Sequence, residues 1–194
     1  IIMRNKMNKL YILGNGSFAQ EVFEQIIVAN HVKNFGGFII LKDDKAFCIG
    51  EEGAEAFTYP TGAQLILGTA NPQWRTQFYN HFLGYYELNI NHWPNMSAPN
   101  SYQSLSSTVG IGNLFLMYSL VNANTQVGNF NLLCTYSSIS VNCAIGNHNV
   151  LSPYSSISKN VCIENSNLLE SGEILFEDLE SDCILTNGVV YAND

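Results

Sequence analysis

One hexad occurs four times at a spacing of eighteen residues: Val109-Gly110-Ile111-Gly112-Asn113-Leu114, Val127-Gly128-Asn129-Phe130-Asn131-Leu132, Ile145-Gly146-Asn147-His148-Asn149-Val150 and Ile163-Glu164-Asn165-Ser166-Asn167-Leu168. Every sixth residue of this region is apolar, and the set is Val109, Phe115, Val121, Val127, Leu133, Ile139, Ile145, Leu151, Ile157, Ile163, Leu169 and Leu175. A six-residue period fits neither an α-helix nor an alternating strand. It is typical of a β-helix, in which each short strand points one side chain inward and a turn follows. Because eighteen is three sixes, the pattern predicts a three-sided coil with equivalent residues stacked from coil to coil.

Two further columns share this spacing. A tyrosine column is expected to pack together on one face, with a subunit contact as the functional alternative, and consists of Tyr118, Tyr136 and Tyr154. Asparagine tolerates left-handed backbone angles and can hydrogen-bond along a ladder. The spacing therefore predicts turn corners at Asn124, Asn142, Asn160 and Asp178.

The N-terminal third begins with a short apolar strand, Lys9 to Leu13, that runs into a glycine turn and an apolar-periodic helix. A strand, a glycine turn and a helix in this order aim backbone N–H groups at a phosphate. G-x-G-x-x-A is a weak signal alone, and a plain packing turn is the alternative. In this context it predicts a phosphate or nucleotide contact at Gly14, Asn15, Gly16, Ser17 and Phe18.

Further strands and a second helix follow. Phe35 to Ile40 and Gln64 to Gly68 are predicted as strands, and Asn71-Pro72 opens a helix through Phe82. Tyr85 to Ile90 is predicted as a last short strand. We therefore predict an α/β + β fold class, with a small Rossmann-like βαβαβ domain over residues 1–90 and a parallel β-helix over residues 91–194.

The ends of the β-helix are less regular. Residues 91–108 are predicted to be a linker winding into the first coil, because the polar residues Ser97 and Gln103 occupy the anchor phase. The register slips by three after Leu175, and Ile184 and Val190 then resume the spacing. Residues 176–183 are therefore expected to hold an insertion or an irregular coil, and residues 184–190 a terminal turn.

Charge and cysteine usage narrow the function classes. The chain of 194 residues has a net charge of −8, and Lys159 is the only basic residue from Asn91 onward, so nucleic-acid binding is not expected. The five cysteines show no metal-ligand spacing, which favours free thiols in a reducing cytosol and no bound metal. No apolar run approaches membrane-spanning length, and Ile1 to Met7 is too short and polar for a signal peptide. These features predict a soluble cytoplasmic protein.

A glycine-turn α/β region followed by a hexapeptide β-helix is a specific combination. Over nearly its whole length the sequence resembles the sialic acid O-acetyltransferase (NeuD-like) family of bacterial sugar acyltransferases. The resemblance is carried by Tyr11 to Val22, Gly37-Phe38-Ile39, Gly68 to Arg75, Val121-Asn122-Ala123-Asn124, Cys143-Ala144-Ile145-Gly146, Leu151-Ser152-Pro153 and Ile184 to Val190.

The resemblance implies a left-handed β-helix that assembles as a homotrimer and transfers an acetyl group from acetyl-CoA to a sugar. A free or nucleotide-linked sugar would lie on the N-terminal domain, at the glycine turn and at Gly68 and Asn71. Acetyl-CoA would lie in the groove between neighbouring β-helices, with Ser152, Pro153 and Lys159 as candidate contacts and without a metal. In this family a histidine acts as the general base, which suits imidazole, and backbone N–H groups can stabilise the oxyanion.

The sequence departs from the family at the positions of its catalytic residues. The catalytic histidine corresponds to Val141, its acidic neighbour to Asn142, and a second histidine to Val150. In two further departures, Ile40 and Leu41 stand in place of an acidic pair of the family, and Lys159 stands in place of a turn glycine. Valine cannot accept a proton, so the standard mechanism does not carry over unchanged.

His148 is the one histidine inside the repeat, and it is the candidate for a displaced catalytic base. Its alternative is a surface turn residue, in the slot that Gly112, Phe130 and Ser166 occupy in other coils. For the whole protein, the alternative to a sugar acetyltransferase is a catalytically silent trimer that binds a nucleotide sugar or acts as a scaffold. A β-helical carbonic anhydrase is disfavoured, because it needs three zinc-binding histidines on adjacent coils.

Overall fold

The computed structural model describes residues 8–43, 45–50, 53–86 and 88–192. The sequence interpretation of Ile1 to Met7 lies outside these residues. The first part of the described chain forms a five-stranded sheet with helices, and the second part forms a β-helix of about five turns. The predicted β-helix is therefore confirmed, while its left-handed sense stays a prediction.

The N-terminal sheet contains β1 (Leu10–Leu13), β2 (Phe35–Lys42), β3 (Lys45–Gly50), β4 (Gly53–Ala56) and β5 (Gln64–Leu67), in the order β4-β3-β2-β1-β5. The central strand β1 runs parallel to β2 on one side and to β5 on the other. Every residue of β1 is buried. Such a run is apolar throughout because both faces of the strand are covered.

The sheet departs from the expected βαβαβ order. After β2 the chain turns straight back into β3 and β4, which pair antiparallel. Helix α1 (Ser17–Val22) continues as a π-helical segment, Phe23–Val28, and helix α2 spans Pro72–Tyr86. The predicted strand from Tyr85 is wrong, because α2 extends through this position and a 3-10 turn, Ile90–His92, follows. Six residues with alternating apolar character are too few to distinguish a strand from a helix end.

The β-helix has three faces built from two-residue strands. Face 1 contains β6 (Met96–Ser97), β9 (Leu114–Phe115), β12 (Leu132–Leu133), β15 (Val150–Leu151), β18 (Leu168–Leu169) and β20 (Cys183–Thr186), with β21 (Val189–Ala192) antiparallel to β20. Face 2 contains β7 (Tyr102–Gln103), β10 (Leu120–Val121), β13 (Ser138–Ile139), β16 (Ser156–Ile157) and β19 (Ile174–Leu175). Face 3 contains β8 (Thr108–Val109), β11 (Gln126–Val127), β14 (Ala144–Ile145) and β17 (Cys162–Ile163).

The anchor residues form the interior of the β-helix, and from Phe115 to Leu175 all are buried in one cluster. Face 1 is also covered on its outer side. There Leu114, Leu132 and Val150 pack with Leu10 and Ile12 of the N-terminal sheet in a shared second core. The division of the chain into domains at residues 90 and 91 stays a prediction.

A file of buried asparagines links the coils of the β-helix. The backbone N–H of Asn131 donates to Oδ1 of Asn113 at 2.8 Å, and the backbone N–H of Asn149 donates to Oδ1 of Asn131 at 2.9 Å. The side chains of Asn113, Asn131 and Asn149 also donate to main-chain carbonyls, as Nδ2 of Asn131 does to Gly146 at 2.9 Å, whereas Nδ2 of Asn167 is buried without a partner. The predicted stacking of residues eighteen positions apart is thereby confirmed.

Three corners separate the faces, and each has a residue with left-handed backbone angles in nearly every coil. Corner 1, between faces 1 and 2, contains Asn100, Tyr118, Tyr136, Tyr154 and Gly172. Corner 2, between faces 2 and 3, contains Asn124, Asn142 and Asn160, as predicted. The corner predicted at Asp178 is wrong, because the last coil is two residues short and places Asp178 beside Cys162 of face 3. Corner 3, between faces 3 and 1, contains Gly112, Phe130, His148, Ser166 and Asp182. The tyrosines stack as expected, with ring centroids 4.9 and 5.1 Å apart.

The β-helix begins earlier than predicted, because β6 and β7 pair in register with β9 and β10. The predicted linker is thus already part of the first coil. Ser97 and Gln103 stand in the inward column, where Nε2 of Gln103 donates to Oγ of Ser97 at 2.9 Å. Two polar side chains at the open end of the prism therefore satisfy each other.

The last coil is two residues short and holds no insertion. Leu169 pairs with Leu185, a spacing of 185 − 169 = 16 residues, and Ile163 bridges to Leu179 at the same spacing. Leu179 and Leu185 are the buried anchors, whereas Val190 is exposed on β21. The predicted anchors Ile184 and Val190 are therefore wrong. The terminal turn is an antiparallel hairpin, β20 and β21.

Candidate functional site

A cleft of about 600 Å³ lies at the carboxyl ends of the three parallel strands. It is lined by residues that follow β1 and β5, by the last part of β2 and by the start of α2: Gly14, Asn15, Gly16, Ser17, Phe18, Ala19, Ile40, Leu41, Gly68, Thr69, Asn71, Trp74 and Phe78. The chain moves from β1 to β2, β3 and β4 on one side of β1 and then returns across the sheet to β5 on the other side. The strand order therefore reverses at β1. In open α/β sheets such a point is where ligands bind.

The structure brings together all seven residues that the sequence suggested for the sugar nucleotide. Gly14 and Gly68 face each other across the base of the cleft, because a Cβ on Gly14 would lie 2.9 Å from the carbonyl oxygen of Gly68. Gly14 also has a φ of +119°, which disfavours any side chain. Gly16 is different, since a Cβ there would meet no atom within 4 Å. Gly16 thus leaves open space in front of the backbone.

Helix α1 begins behind this open space. Gly16 is its N-cap and provides no side-chain hydrogen bond to the first turn. The first N–H groups of a helix have no acceptor within the helix, so the groups of Ser17 and Phe18 are left for another partner. A ligand with several oxygen acceptors fits such an end.

The lining of the cleft is aromatic and apolar, with no charged side chain among the residues that form it. The indole of Trp74 is 51% exposed and tilts against Phe78, with ring centroids 6.3 Å apart. Oδ1 of Asn71 accepts the backbone N–H of Trp74 at 2.9 Å and so caps α2. Ile40 and Leu41 stand where the family has acidic residues, so the described cleft has no carboxylate for ribose hydroxyls.

Arg75 lies behind the wall of the cleft and is completely buried. Its Nη1 donates to the carbonyl oxygens of Leu67 at 3.1 Å and Thr69 at 2.8 Å. Nε and Nη2 both donate to the carbonyl oxygen of Phe130, at 3.1 and 2.9 Å, on corner 3 of the β-helix. The sequence showed Arg75 only as part of a matched motif, because the β-helix corner that it reaches is 55 residues away.

His148 lies on corner 3, facing α2. Its ring stacks on Phe130 and contacts Tyr79, with centroid distances of 5.2 and 5.5 Å. These side chains line a small cavity of about 280 Å³ together with Asn129, Asn147 and Asn165. Burial, followed by the charge of Arg75, lowers the pKa of His148 to about 4, and its Nδ1 is buried without a hydrogen-bond partner.

The residues suggested for acetyl-CoA lie elsewhere on the β-helix. Ser152 and Pro153 precede Tyr154 on corner 1, and Lys159 is exposed beside Asn160 on corner 2. Within one subunit the structure therefore does not bring them together with His148 on corner 3. Val141, at the family's histidine position, lies on corner 2 and is 36% exposed.

Most of the chain shares its fold with solved structures that include acetyltransferases. PerB from Caulobacter crescentus, solved with CoA and GDP-perosamine, matches with a TM-score of 0.70 at 15% identity, over 95% of this chain and 98% of its own. The acetyltransferase domain of PglB from Neisseria gonorrhoeae matches with a TM-score of 0.70 at 14% identity, over 95% and 99%. WeeI from Acinetobacter baumannii matches with a TM-score of 0.65 at 12% identity, over 94% and 98%. At these identities the similarity establishes the fold.

No protein-family model matches this sequence, and no characterised protein matches it significantly by sequence. Among the residues that the structure describes, no three His, Cys, Asp or Glu side chains are grouped so that they could hold a metal ion. The described helices include none that is long and apolar enough to cross a membrane.

Proposed function

We propose that the protein is an acetyl-CoA-dependent acetyltransferase that acts on a nucleotide-linked sugar, by N- or O-transfer. The observation that supports this best is the cleft at the carboxyl ends of β1, β2 and β5. It offers uncapped helix N–H groups and an exposed indole beside a β-helix. PerB, which has the same fold, holds CoA and GDP-perosamine in its structure.

In this proposal the Rossmann-like N-terminal part holds the nucleotide. The diphosphate lies against Gly14, Asn15, Gly16, Ser17 and Phe18, where backbone N–H groups can donate to its oxygens. The base lies against the indole of Trp74, because nucleobases stack on aromatic faces. Gly68 and Asn71 form the opposite wall.

The acetyl donor lies on the β-helix, at Ser152, Pro153 and Lys159, in a groove between subunits of a homotrimer. Face 2 supports this assembly, since it exposes Tyr102, Leu120 and Ile174 to water. Exposed apolar surface of this kind is typical of a subunit interface. The related acetyltransferase domain of PglB has been solved with acetyl coenzyme A.

His148 is the candidate general base. Its lowered pKa leaves the imidazole unprotonated at neutral pH, so that it can accept a proton, although a base with this pKa is weak. Because His148 shares no corner with Ser152, Pro153 or Lys159, the acetyl group would have to reach it from a neighbouring subunit.

A second function, a silent trimer that binds a nucleotide sugar, is favoured by one observation. At the corner of the family's base the side chain is the apolar Val141, and the only cation of the β-helix sequence is Lys159. Such a protein would bind a sugar nucleotide without transferring an acetyl group.

The binding proposal is tested by calorimetry with UDP, GDP and dTDP on the wild type and on Gly16→Val. A Cβ at this position would meet no protein atom within 4 Å and Gly16 has a φ of −74°, so the variant should fold normally. It should lose at least tenfold in affinity, because its side chain blocks the approach of a phosphate to the backbone. Gly84→Ala, exposed on α2 and also without a neighbour within 4 Å, is the control.

Equal affinity in Gly16→Val and wild type, or no binding of any of the three nucleotides, would contradict the proposed site. Release of CoA thiol from acetyl-CoA in the presence of nucleotide-linked amino sugars then separates the two functions. Thiol release supports the acetyltransferase, and nucleotide binding without thiol release supports the silent trimer.

A further inference from the structure

Among the buried residues that the structure describes, Arg75 is the one with a charged side chain. All four of its hydrogen bonds go to main-chain carbonyl oxygens, of Leu67, Thr69 and Phe130. Among residues 8–43, 45–50, 53–86 and 88–192 no carboxylate forms an ion pair with it. The neighbouring ionisable groups are Cys134 and His148, which are both neutral at pH 7, because burial raises the pKa of the thiol to about 12 and lowers that of the imidazole.

An uncompensated charge in a protein interior is costly, and charged side chains are almost never fully buried without an opposite charge. Carbonyl dipoles satisfy the N–H groups of the guanidinium but leave its net charge in place. Deprotonation does not remove that charge, because an arginine stays protonated at neutral pH even where burial lowers its pKa to about 9. The field of Arg75 therefore extends to the nearest space that water or a ligand can enter.

Two such spaces adjoin Arg75, the cleft of about 600 Å³ and the cavity of about 280 Å³ beside His148, and the cleft is the larger. Nη1 binds the carbonyl oxygen of Thr69, and Thr69 itself lines the cleft. The guanidinium is therefore hydrogen-bonded to backbone that forms part of the wall of the cleft. Trp74 and Phe78 present one side of α2 to the cleft, while the neighbouring Arg75 lies behind the same wall.

No other described residue supplies positive charge to the cleft. No lysine or arginine is part of its lining, and the whole chain has a net charge of −8. A diphosphate entering such a cleft without a buried cation would meet a repulsive protein field and receive hydrogen bonds from neutral N–H groups alone.

We propose that Arg75 is a specificity-determining residue that makes the cleft select an anionic, diphosphate-bearing ligand without touching it. The inference rests on the proposed nucleotide site and adds to it the source of the charge selectivity. The same side chain joins the end of β5 to corner 3, so the charge keeps a fixed distance from the cleft.

The alternative role for Arg75 is purely structural, as a clamp between α2 and the β-helix. A clamp and a charge differ in their effect on two ligands that share a base. Loss of a clamp weakens binding of a nucleoside and of its diphosphate by the same factor. Loss of a charge weakens binding of the diphosphate alone.

The experiment measures the affinity ratio of uridine diphosphate to uridine, or of the nucleotide and nucleoside that bind the wild type best, by calorimetry. It compares wild type, Arg75→Lys, Arg75→Met and Lys33→Met. Lys33 precedes β2, at the end of the sheet opposite the cleft, and its removal controls for net charge. Thermal unfolding of each variant shows whether it is folded at the temperature of the titration.

We expect the ratio to fall at least about tenfold in Arg75→Met, the order of effect of one unit charge that acts over several ångströms at an effective dielectric constant of about 20. It should stay within about threefold of wild type in Arg75→Lys and Lys33→Met. A ratio that is unchanged in Arg75→Met, or that falls equally in Lys33→Met, overturns the inference. If Arg75→Met does not fold, Arg75→Lys provides the test. A tenfold fall of its affinity ratio of diphosphate to nucleoside would overturn the inference, because lysine keeps the charge. A wild type that binds neither ligand would refute the nucleotide site itself.

Discussion

The imidazole ring of His148 lies nearly parallel to the phenyl ring of Phe130, with ring centroids 5.2 Å apart and 12° between the planes. The two residues are equivalent positions of successive coils, and both have left-handed backbone angles, with φ of 58° and 57°. The histidine is thus held by the repeat from one side and by Tyr79 of α2 from another. Because Tyr79 belongs to the N-terminal part, the packing of that part contributes to the burial that lowers the pKa of His148.

The first prediction concerns pH and stability. In the unfolded chain the pKa of His148 returns to about 6.5. Because its folded pKa is about 4, the unfolded state binds more protons between these values. The free energy of unfolding should therefore fall as the pH decreases from 6.5 to 4, and this residue should account for roughly 2–3 kcal/mol of the loss.

Urea denaturation at pH 7 and pH 4.5 measures this loss in wild type and in His148→Phe. Phenylalanine occupies the same slot at Phe130, so it should keep the stacking and remove the proton-binding group. All carboxylates are common to both proteins and cancel in the comparison. The same loss of stability with pH in both proteins would be evidence against a buried, neutral His148.

The second prediction concerns catalysis. If His148 is the base, His148→Gln should lower the rate of acetyl transfer by about 100-fold or more, because removal of a general base costs 10²–10⁴. Affinity for the nucleotide should be unchanged, since the cleft lies on the other side of α2. The measurement is thiol release at saturating nucleotide sugar. Undiminished turnover would remove His148 from the mechanism.

The third prediction concerns the asparagine file. Asn131→Ala should destabilise the protein by roughly 2–4 kcal/mol, because it leaves the N–H of Asn149 and the carbonyl of Gly146 without partners in the interior. Asn142→Ala, at corner 2, should cost only about 1 kcal/mol, through its left-handed backbone, because its hydrogen bonds with Asn124 and Asn160 are exposed and water can replace them. Urea denaturation of the two variants and of the wild type measures both losses of unfolding free energy. Equal costs at both sites would mean that the buried ladder adds nothing to the effect of the corner.

The fourth prediction concerns assembly. Replacing all three tyrosines of corner 1 by asparagine, which suits left-handed angles better, should leave each subunit folded and convert the proposed homotrimer to monomers. Sedimentation velocity measures the assembly, and circular dichroism measures the fold. Ser166→Asn on corner 3 is the matched control and should stay trimeric. A wild type that sediments as a monomer would refute the trimer, and a trimeric triple variant would exclude corner 1 from the interface.

Some features of the molecule could be read from local residue type. Asn124 and Asn142 marked a corner because asparagine is one of the few residues at ease with a positive φ. Tyr118 and Tyr136 carried no such signal, although they occupy the same backbone conformation on corner 1. Tyrosine is normally disfavoured at a positive φ, and stacking on the tyrosine of the next coil compensates for this cost. The eighteen-residue spacing therefore predicted the tyrosine column, but the residue type did not predict that the column lies at a corner.

The end of the repeat was misread for a related reason. Ile184 and Val190 are six residues apart and apolar, so they imitate the anchor phase. The coil above β17 and β18 closes with sixteen residues, which moves the inward position to Leu185. Only the pairing of that coil with the one below it fixes which of two adjacent apolar residues points inward.

The sequence by itself determined the three-sided β-helix, the asparagine file and the glycine turn, because each depends on a period or a local backbone angle that repeats within a few residues. It also suggested which residues line the cleft, since they follow the ends of neighbouring parallel strands. Tertiary structure alone decided that Arg75 is buried behind that cleft and that His148 faces α2, away from Ser152, Pro153 and Lys159. These relationships join residues far apart in the chain, and they arise from packing α2 on corner 3 of the β-helix, which no periodicity records.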